Sequence, residues 1–295
     1  MTQDYALIGY AYNKTVRIYV ATSTQLVEDM RNIHDTWPTA TAALGRFLTA
    51  SAMMGLMYKD EERITLRIKG DGPIGSMIVE ANTFGEVRAD ISNPHVYLTY
   101  EDGPKHGKLN VSKAVGQGFL HVTKDLGMKD YFTSSSELQT GEIGDDFTYY
   151  FALSEQIPSS VGLGVLVNVD QSVLASGGYI LQLMPNIEEE TILYLEQLIA
   201  NLPPMSSLIE SGKSPEDILG LLANHSEQIL LKKEIKYACH CSKDGFAKSL
   251  SALDEKTLNE LIHEDGQAEI ACHFCKKTYL FDKGELETIQ IERKK

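Results

Sequence analysis

No cysteine occurs in the first 238 residues of this 295-residue chain; all four are crowded into the last 57. Any thiol chemistry is thereby confined to the C-terminal fifth. Basic residues are scarce as well: 27 Lys and Arg stand against 41 Asp and Glu, a net charge of −14. The deficit is spread out, at −7 over residues 1–187, −5 over 188–236 and −2 over 237–295. No segment has the cationic footprint that a phosphate backbone requires, so nucleic acid is not an expected partner. Long apolar runs are also missing. The most apolar stretch, Ala40 to Met57, contains Arg46, two Thr and two Gly, and it reads as a buried helix that falls short of a membrane span. No secretory signature accompanies the early charge at Asp4, so a cytoplasmic location is expected, where standing disulfides are disfavoured. Catalytic constellations are lacking too. Gly70-Asp-Gly-Pro73 has neither the helix start nor the lysine of a phosphate loop. Ser154-Glu155-Gln156 has no Ser/His/Asp or paired-carboxylate spacing around it. The expectation is a protein without catalytic residues and without an organic cofactor.

What is present is a pair of cysteine motifs. Cys239-x-Cys241 is followed by thirty residues and then Cys272-x-x-Cys275. Two thiolates on one tight turn reach a single ion at about 2.3 Å from each sulfur, and a second pair completes the tetrahedron favoured by zinc. The spacing points to one zinc per chain in the reduced state, held by Cys239, Cys241, Cys272 and Cys275. His240 and His273 lie inside the motifs, but four sulfurs already fill such a site. Three other readings compete: two structural disulfides, a purely structural zinc knuckle, and a thiol–disulfide oxidoreductase using Cys272-x-x-Cys275. The last would need its motif to open a helix after a strand, whereas the flanking pattern here is a polar segment followed by a short β-like one.

Three domains are expected: an α/β core over 1–187, a mostly helical linker over 188–236, and a small metal-binding domain over 237–295. The overall class is α+β. In the core, residues 5–12 and 15–21 read as a hairpin, followed by a helix from Thr24 that Trp37-Pro38 ends. Small residues on several faces of Pro38–Gly55 predict a helix packed on all sides, with Arg46 in need of a partner. Met53, Met54 and Met57 read as core filling. Strands are expected at 64–69, 76–81 and 86–91 around the turn Gly70–Gly75, then near 95–100, 118–123, 129–134 and 162–183, with a helix over 145–154. In the linker, Ile192, Leu195, Ile199 and Leu202 form an apolar stripe on a helix from Glu188 to Leu202. Ser214-Pro-Glu-Asp217 is a helix start whose apolar face is Ile218, Leu221 and Leu222. Ile229, Leu231, Ile235 and Tyr237 then alternate as one strand running into Cys239. Such a stripe cannot rest in water and must be docked. In the last domain Leu258, Leu261 and Ile262 mark a helix closed by Gly266, and Asp282-Lys-Gly-Glu285 resembles a capping box.

Several of these stretches together resemble the redox-regulated heat shock protein 33 family of bacterial ATP-independent holdases. They are the two cysteine motifs at their spacing, Ala42-Ala-Leu-Gly-Arg46, Gly70-Asp-Gly-Pro-Ile-Gly75, Ser154-Glu-Gln156, and Gly177-Gly-Tyr-Ile-Leu-Gln182 with Pro185. They run in family order through nearly the whole chain. One departure is Val87-Arg-Ala-Asp-Ile91, where the family usually has Gly-Tyr after the arginine. The resemblance implies an α/β core that forms a homodimer when oxidised, a helical linker folded over it, and a zinc domain that acts as a redox switch. It further implies that the reduced, zinc-bound form is inactive. Oxidants then join Cys239 to Cys241 and Cys272 to Cys275, zinc is released, and the protein holds unfolded or partly folded clients.

Overall fold

Residues 3–293 are described by a computed structural model, which divides between Ala238 and Cys239 into two units. The first unit opens with the hairpin β1 (Tyr5–Ala11) and β2 (Val16–Thr22), whose turn takes positive φ at Tyr12, Asn13 and Lys14. Helices α1 (Thr24–His34) and α2 (Pro38–Gly55) follow, then β3 (Arg63–Gly70), β4 (Ser76–Asn82) and β5 (Glu86–Ile91). After α3 (Val111–Val115) come β6 (Gly118–Asp125), β7 (Phe132–Glu137), and α4 (Gly144–Tyr150), which continues as a π turn over Phe151–Glu155. Strands β8 (Ser159–Val167) and β9 (Val173–Leu183) precede the helices α5 (Glu189–Ala200), α6 (Met205–Glu210) and α7 (Pro215–Leu222), and the unit closes with β10 (Gln228–Glu234) and β11 (Lys236–Tyr237).

These strands form two sheets. Sheet A has the order β10-β1-β2-β9-β8, and sheet B the order β11-β5-β4-β3-β6-β7. Every pairing is antiparallel except β11 with β5. Helix α2 lies between the sheets, touching β8 and β9 of one and β4 and β5 of the other. That position explains its composition: sixteen of its eighteen residues are buried, all but Pro38 and Arg46. A helix approached from every side needs small residues, and a Cβ on Gly45 would come within 2.7 Å of Val27. Arg46 finds its partner in Glu142, Nη1 to Oε2 at 2.6 Å. Met53 and Met54 are buried in this core, with Met57 against it.

Sheet A is apolar on both faces, and the alternation along its strands divides two cores. Ala6, Ile8, Tyr19, Ala21 and Ile180 face α2. Leu7, Val16, Ile18, Val20 and Leu181 point the other way, where Leu195, Met205, Leu208, Ile218, Leu219 and Leu222 of α5, α6 and α7 cover them. The linker stripe is therefore docked, with Leu195 at its centre and Ile199 and Leu202 at its margin.

Several expectations need correction. Residues 95–100 form no strand; a single bridge joins Thr99 to Leu109. The strand expected at 129–134 lies at Phe132–Glu137. On α7 the third covering residue is Leu219, while Leu221 is exposed. The single strand expected from Ile229 to Tyr237 is two strands on different sheets, and Ile229 and Leu231 face solvent. The change falls at Ile235: its N–H donates to the Asp4 carbonyl, and the next N–H, of Lys236, donates to that of Gly85. Gly85, at φ +80°, has no room for a side chain there, since a Cβ would meet the Glu234 carbonyl. Ala89, in the segment that departs from the family pattern, is buried, and its N–H donates to the Tyr237 hydroxyl, which donates in turn to the Ala89 carbonyl.

The second unit holds α8 (Lys243–Ser251), α9 (Glu255–Glu260) with a π turn over Leu261–Asp265, the hairpin β12 (Gln267–Ala271) and β13 (Thr278–Asp282), and α10 (Lys283–Arg293). Gly266 ends the π turn at φ +69°. Asp282 and Glu285 exchange the two hydrogen bonds of a capping box at the start of α10. The buried apolar core is small: Leu250, Leu258, Ile262, Ala268, Phe281, Leu286 and Ile289.

Candidate metal centre

The four cysteines enter the second unit from two local structures. Cys239 and Cys241 lie in the extended segment before α8, whose N-cap Ser242 accepts from the Gly245 N–H. Cys272 and Cys275 occupy the turn between β12 and β13. The Lys276 N–H donates to the Cys272 carbonyl at 2.8 Å, and the Cys272 N–H to that of Lys277 at 2.9 Å. This places the C-x-x-C motif in a hairpin, not at the start of a helix.

All four Sγ atoms lie within 4.8 Å of one another. Cys239 Sγ is 3.7 Å from Cys272 Sγ, and Cys241 Sγ is 3.3 Å from Cys275 Sγ, so each motif reaches the other. Tetrahedral bonds of about 2.3 Å would set sulfurs about 3.8 Å apart, and the cluster fits a single ion on that measure. Cys272 is buried and the other three are partly exposed. Among the described residues no histidine or carboxylate joins this group; His240 and His273 are exposed.

Tyr279, on β13, completes the site. Its hydroxyl donates to the Cys241 carbonyl at 2.9 Å and lies 3.3 Å from Cys241 Sγ. Phe246 of α8 packs against its ring. Burial pushes the Cys241 thiol up, but hydrogen bonds from the Tyr279 hydroxyl and the neighbouring thiols outweigh it, leaving Cys241 at about 7. Cys275 goes the other way, to about 12, through burial and through donating to Cys241. Burial raises Cys272 as well. These hydrogen bonds favour the thiolate at Cys241; a bound cation would favour it at all four cysteines. The pattern of cysteines reveals the ligand set, whereas Tyr279 reads in sequence only as apolar mass.

Two other sequence motifs make local structural contacts. Glu155 pairs with Lys124 and accepts from the Tyr150 hydroxyl, fixing the π turn. Asp71, in the Gly70–Gly75 turn, accepts from the Gln117 N–H.

Comparison with known proteins agrees in extent and in kind. A family model described as Hsp33 protein matches residues 4–282. The "33 kDa chaperonin" of Acholeplasma laidlawii is 54% identical over 284 residues, covering 96% of this chain and 97% of that protein. That of Bacillus subtilis is 48% identical, with 97% and 98% covered. The crystal structure of the 33 kDa chaperonin (heat shock protein 33 homolog) from Thermotoga maritima superposes with a TM-score of 0.91 over the full length of both chains, at 34% identity.

Proposed function

The chain belongs to the Hsp33 protein family, and from that premise we propose that it is a redox-switched, ATP-independent holdase of the cytoplasm. Reduced and zinc-bound, it is inactive; oxidised, it holds unfolded or partly folded proteins and forms a homodimer. In functional terms residues 1–187 are the core, 188–236 the regulatory linker and 237–295 the switch. The observation that carries the reading is a continuity of chain. The linker helices cover the outer apolar face of sheet A, and the same segment ends in β11 with only Ala238 before the first cysteine of the cluster.

Zinc, when held by Cys239, Cys241, Cys272 and Cys275, keeps the sulfurs deprotonated and contributes about 10–16 kcal/mol toward folding, as in small zinc modules. That is as large as the stability of a whole domain, about 5–15 kcal/mol, and the second unit has only seven buried core residues of its own. The partly exposed sulfurs are open to small oxidants. Two thiolates give two electrons to a peroxide, a disulfide forms, and the peroxide leaves as two waters after taking up two protons. Each disulfide removes two of the four ligands. The pairs proposed are Cys239–Cys241 and Cys272–Cys275, and the family resemblance supports them. Loss of the switch unit's fold frees the linker, and Leu7, Val16, Ile18, Val20 and Leu181 lose their cover.

The test is light scattering from an aggregating client, with metal content, free thiols and disulfide-linked peptides measured in parallel. Reduced protein should carry one zinc, show four thiols after its removal, and leave aggregation unchanged. Peroxide-treated protein should release the zinc and suppress scattering at near-equimolar ratio. Turnover of disulfide substrates by a zinc-free chain would instead support the oxidoreductase reading.

A further inference from the structure

Sheet A ends in a strand whose apolar side chains do little to hold it, although Lys232 pairs with Glu216 at 2.8 Å and lies over the Tyr5 ring. Six of the seven residues of β10 are exposed, among them Ile229, Leu230 and Leu231 at 50, 56 and 40%. Along its whole length the strand is placed by its backbone ladder to β1, from Tyr5 opposite Glu234 to Tyr10 opposite Gln228. Strand β1, by contrast, is a core strand, with Ala6, Leu7, Ile8 and Ala11 buried. Its outer edge is open to close approach: a Cβ on Gly9 would lie 3.1 Å from the Gln228 carbonyl. Beside that edge runs the apolar face that α5, α6 and α7 cover. One continuous segment therefore masks both features, the face with its helices and the edge with β10.

We propose that the β1 edge is itself a docking site, taking extended segments of unfolded proteins by strand addition, with β10 as its resident occupant in the inactive state. The proposal rests on the holdase reading, which frees the linker; it adds how a client is recognised. With β10 gone, the edge presents a row of unpaired N–H and C=O groups, the template on which a further strand pairs. Backbone groups are common to every sequence. An unfolded chain offers them free, while a folded one has spent them in its own helices and sheets. An edge of this kind selects for the unfolded state without selecting for sequence. Alternate side chains of the added strand then fall on the bared face beside Leu7. The occupancy of the edge by an outward-facing, weakly buried strand of the same chain shows the form such an occupant takes: extended, and paired along its length by main-chain bonds.

The ladder also defines a discriminating probe. The Ile235 N–H donates to the Asp4 carbonyl, and by the two-residue alternation of an antiparallel pair the N–H groups of Lys233 and Leu231 face β1, while those of Lys232 and Glu234 face away. A synthetic peptide with the sequence of residues 228–234 should bind peroxide-activated full-length protein and not the reduced form, and should compete with a client. N-methylation at the positions of Leu231 and Lys233 removes two facing donors and should weaken binding by about ten-fold or more. The same modification at the positions of Lys232 and Glu234 keeps the side chains and the facing donors, and should leave affinity nearly unchanged. Equal affinity of the two methylated peptides would overturn the edge site in favour of side-chain capture on the face alone, as would absence of binding up to about 1 mM peptide. Failure of the activated protein to suppress client aggregation at all is a separate readout and overturns the holdase reading itself.

Discussion

The Asp4 carboxylate is buried and accepts the Leu26 N–H at 2.7 Å, at the first turn of α1. Burial outweighs that bond and the other backbone donors, and raises the group from an ordinary 3.8 to about 6. Between these two values the folded chain holds more protons than the unfolded one, so the contribution to stability falls as pH rises through about 4 to 6. At neutral pH the buried charge costs up to about 3 kcal/mol. Asp4→Asn keeps an acceptor for the helix and removes the charge. It should raise the melting temperature by a few degrees at pH 7.5, with the gain fading below about pH 4 where both side chains are neutral. Calorimetry at the two pH values checks this, and a lower melting temperature at pH 7.5 would contradict it. Tyr279 carries a different lesson at the same scale. Its hydroxyl reaches Cys241 across 38 residues of sequence, a contact that hydrophobic patterning does not encode, whereas the four ligands are legible because two of their intervals are short.

Among the elements, legibility follows length and regularity. The antiparallel run β3-β4-β5 alternates strictly and lies where periodicity places it. Short pieces escape: α3 has five residues, and α6 starts directly after Pro203-Pro204, which reads as a stop but here supplies the N-cap. The alternation from Ile229 to Tyr237 is real, yet it cannot tell that the chain changes sheet at Ile235, because that depends on partners far away in sequence. Docking of the linker is open to direct test through α5. Leu195 is 2% exposed and Ile199 is partly buried against the same core, and burying such a side chain contributes about 1.5–3 kcal/mol. Replacing Leu195 and Ile199 with Ser should speed hydrogen exchange across residues 188–236 and give client protection without oxidant. Faster exchange with no protection would mean that the linker opens without being the gate.

At the scale of the molecule, the two units differ in what holds them. The first has two apolar cores around sheet A, the second one small core and a thiol cluster. A chelator under reducing conditions should therefore abolish the structure of residues 239–295 while α2 and the central strands keep their slow exchange; uniform loss of protection would show one cooperative unit instead. The join between the units also has a mechanical side. The chain from 228 to 238 crosses from the edge of sheet A to the edge of sheet B, and β11 grips β5 over only two residue pairs. A load transmitted through Cys239 meets this short grip first. It then reaches β10 at its Glu234 end, where the ladder is peeled one bond at a time and not sheared along its length. Re-forming the ladder has to recover the offset in register at Ile8 and Gly9 before the short grip can form again.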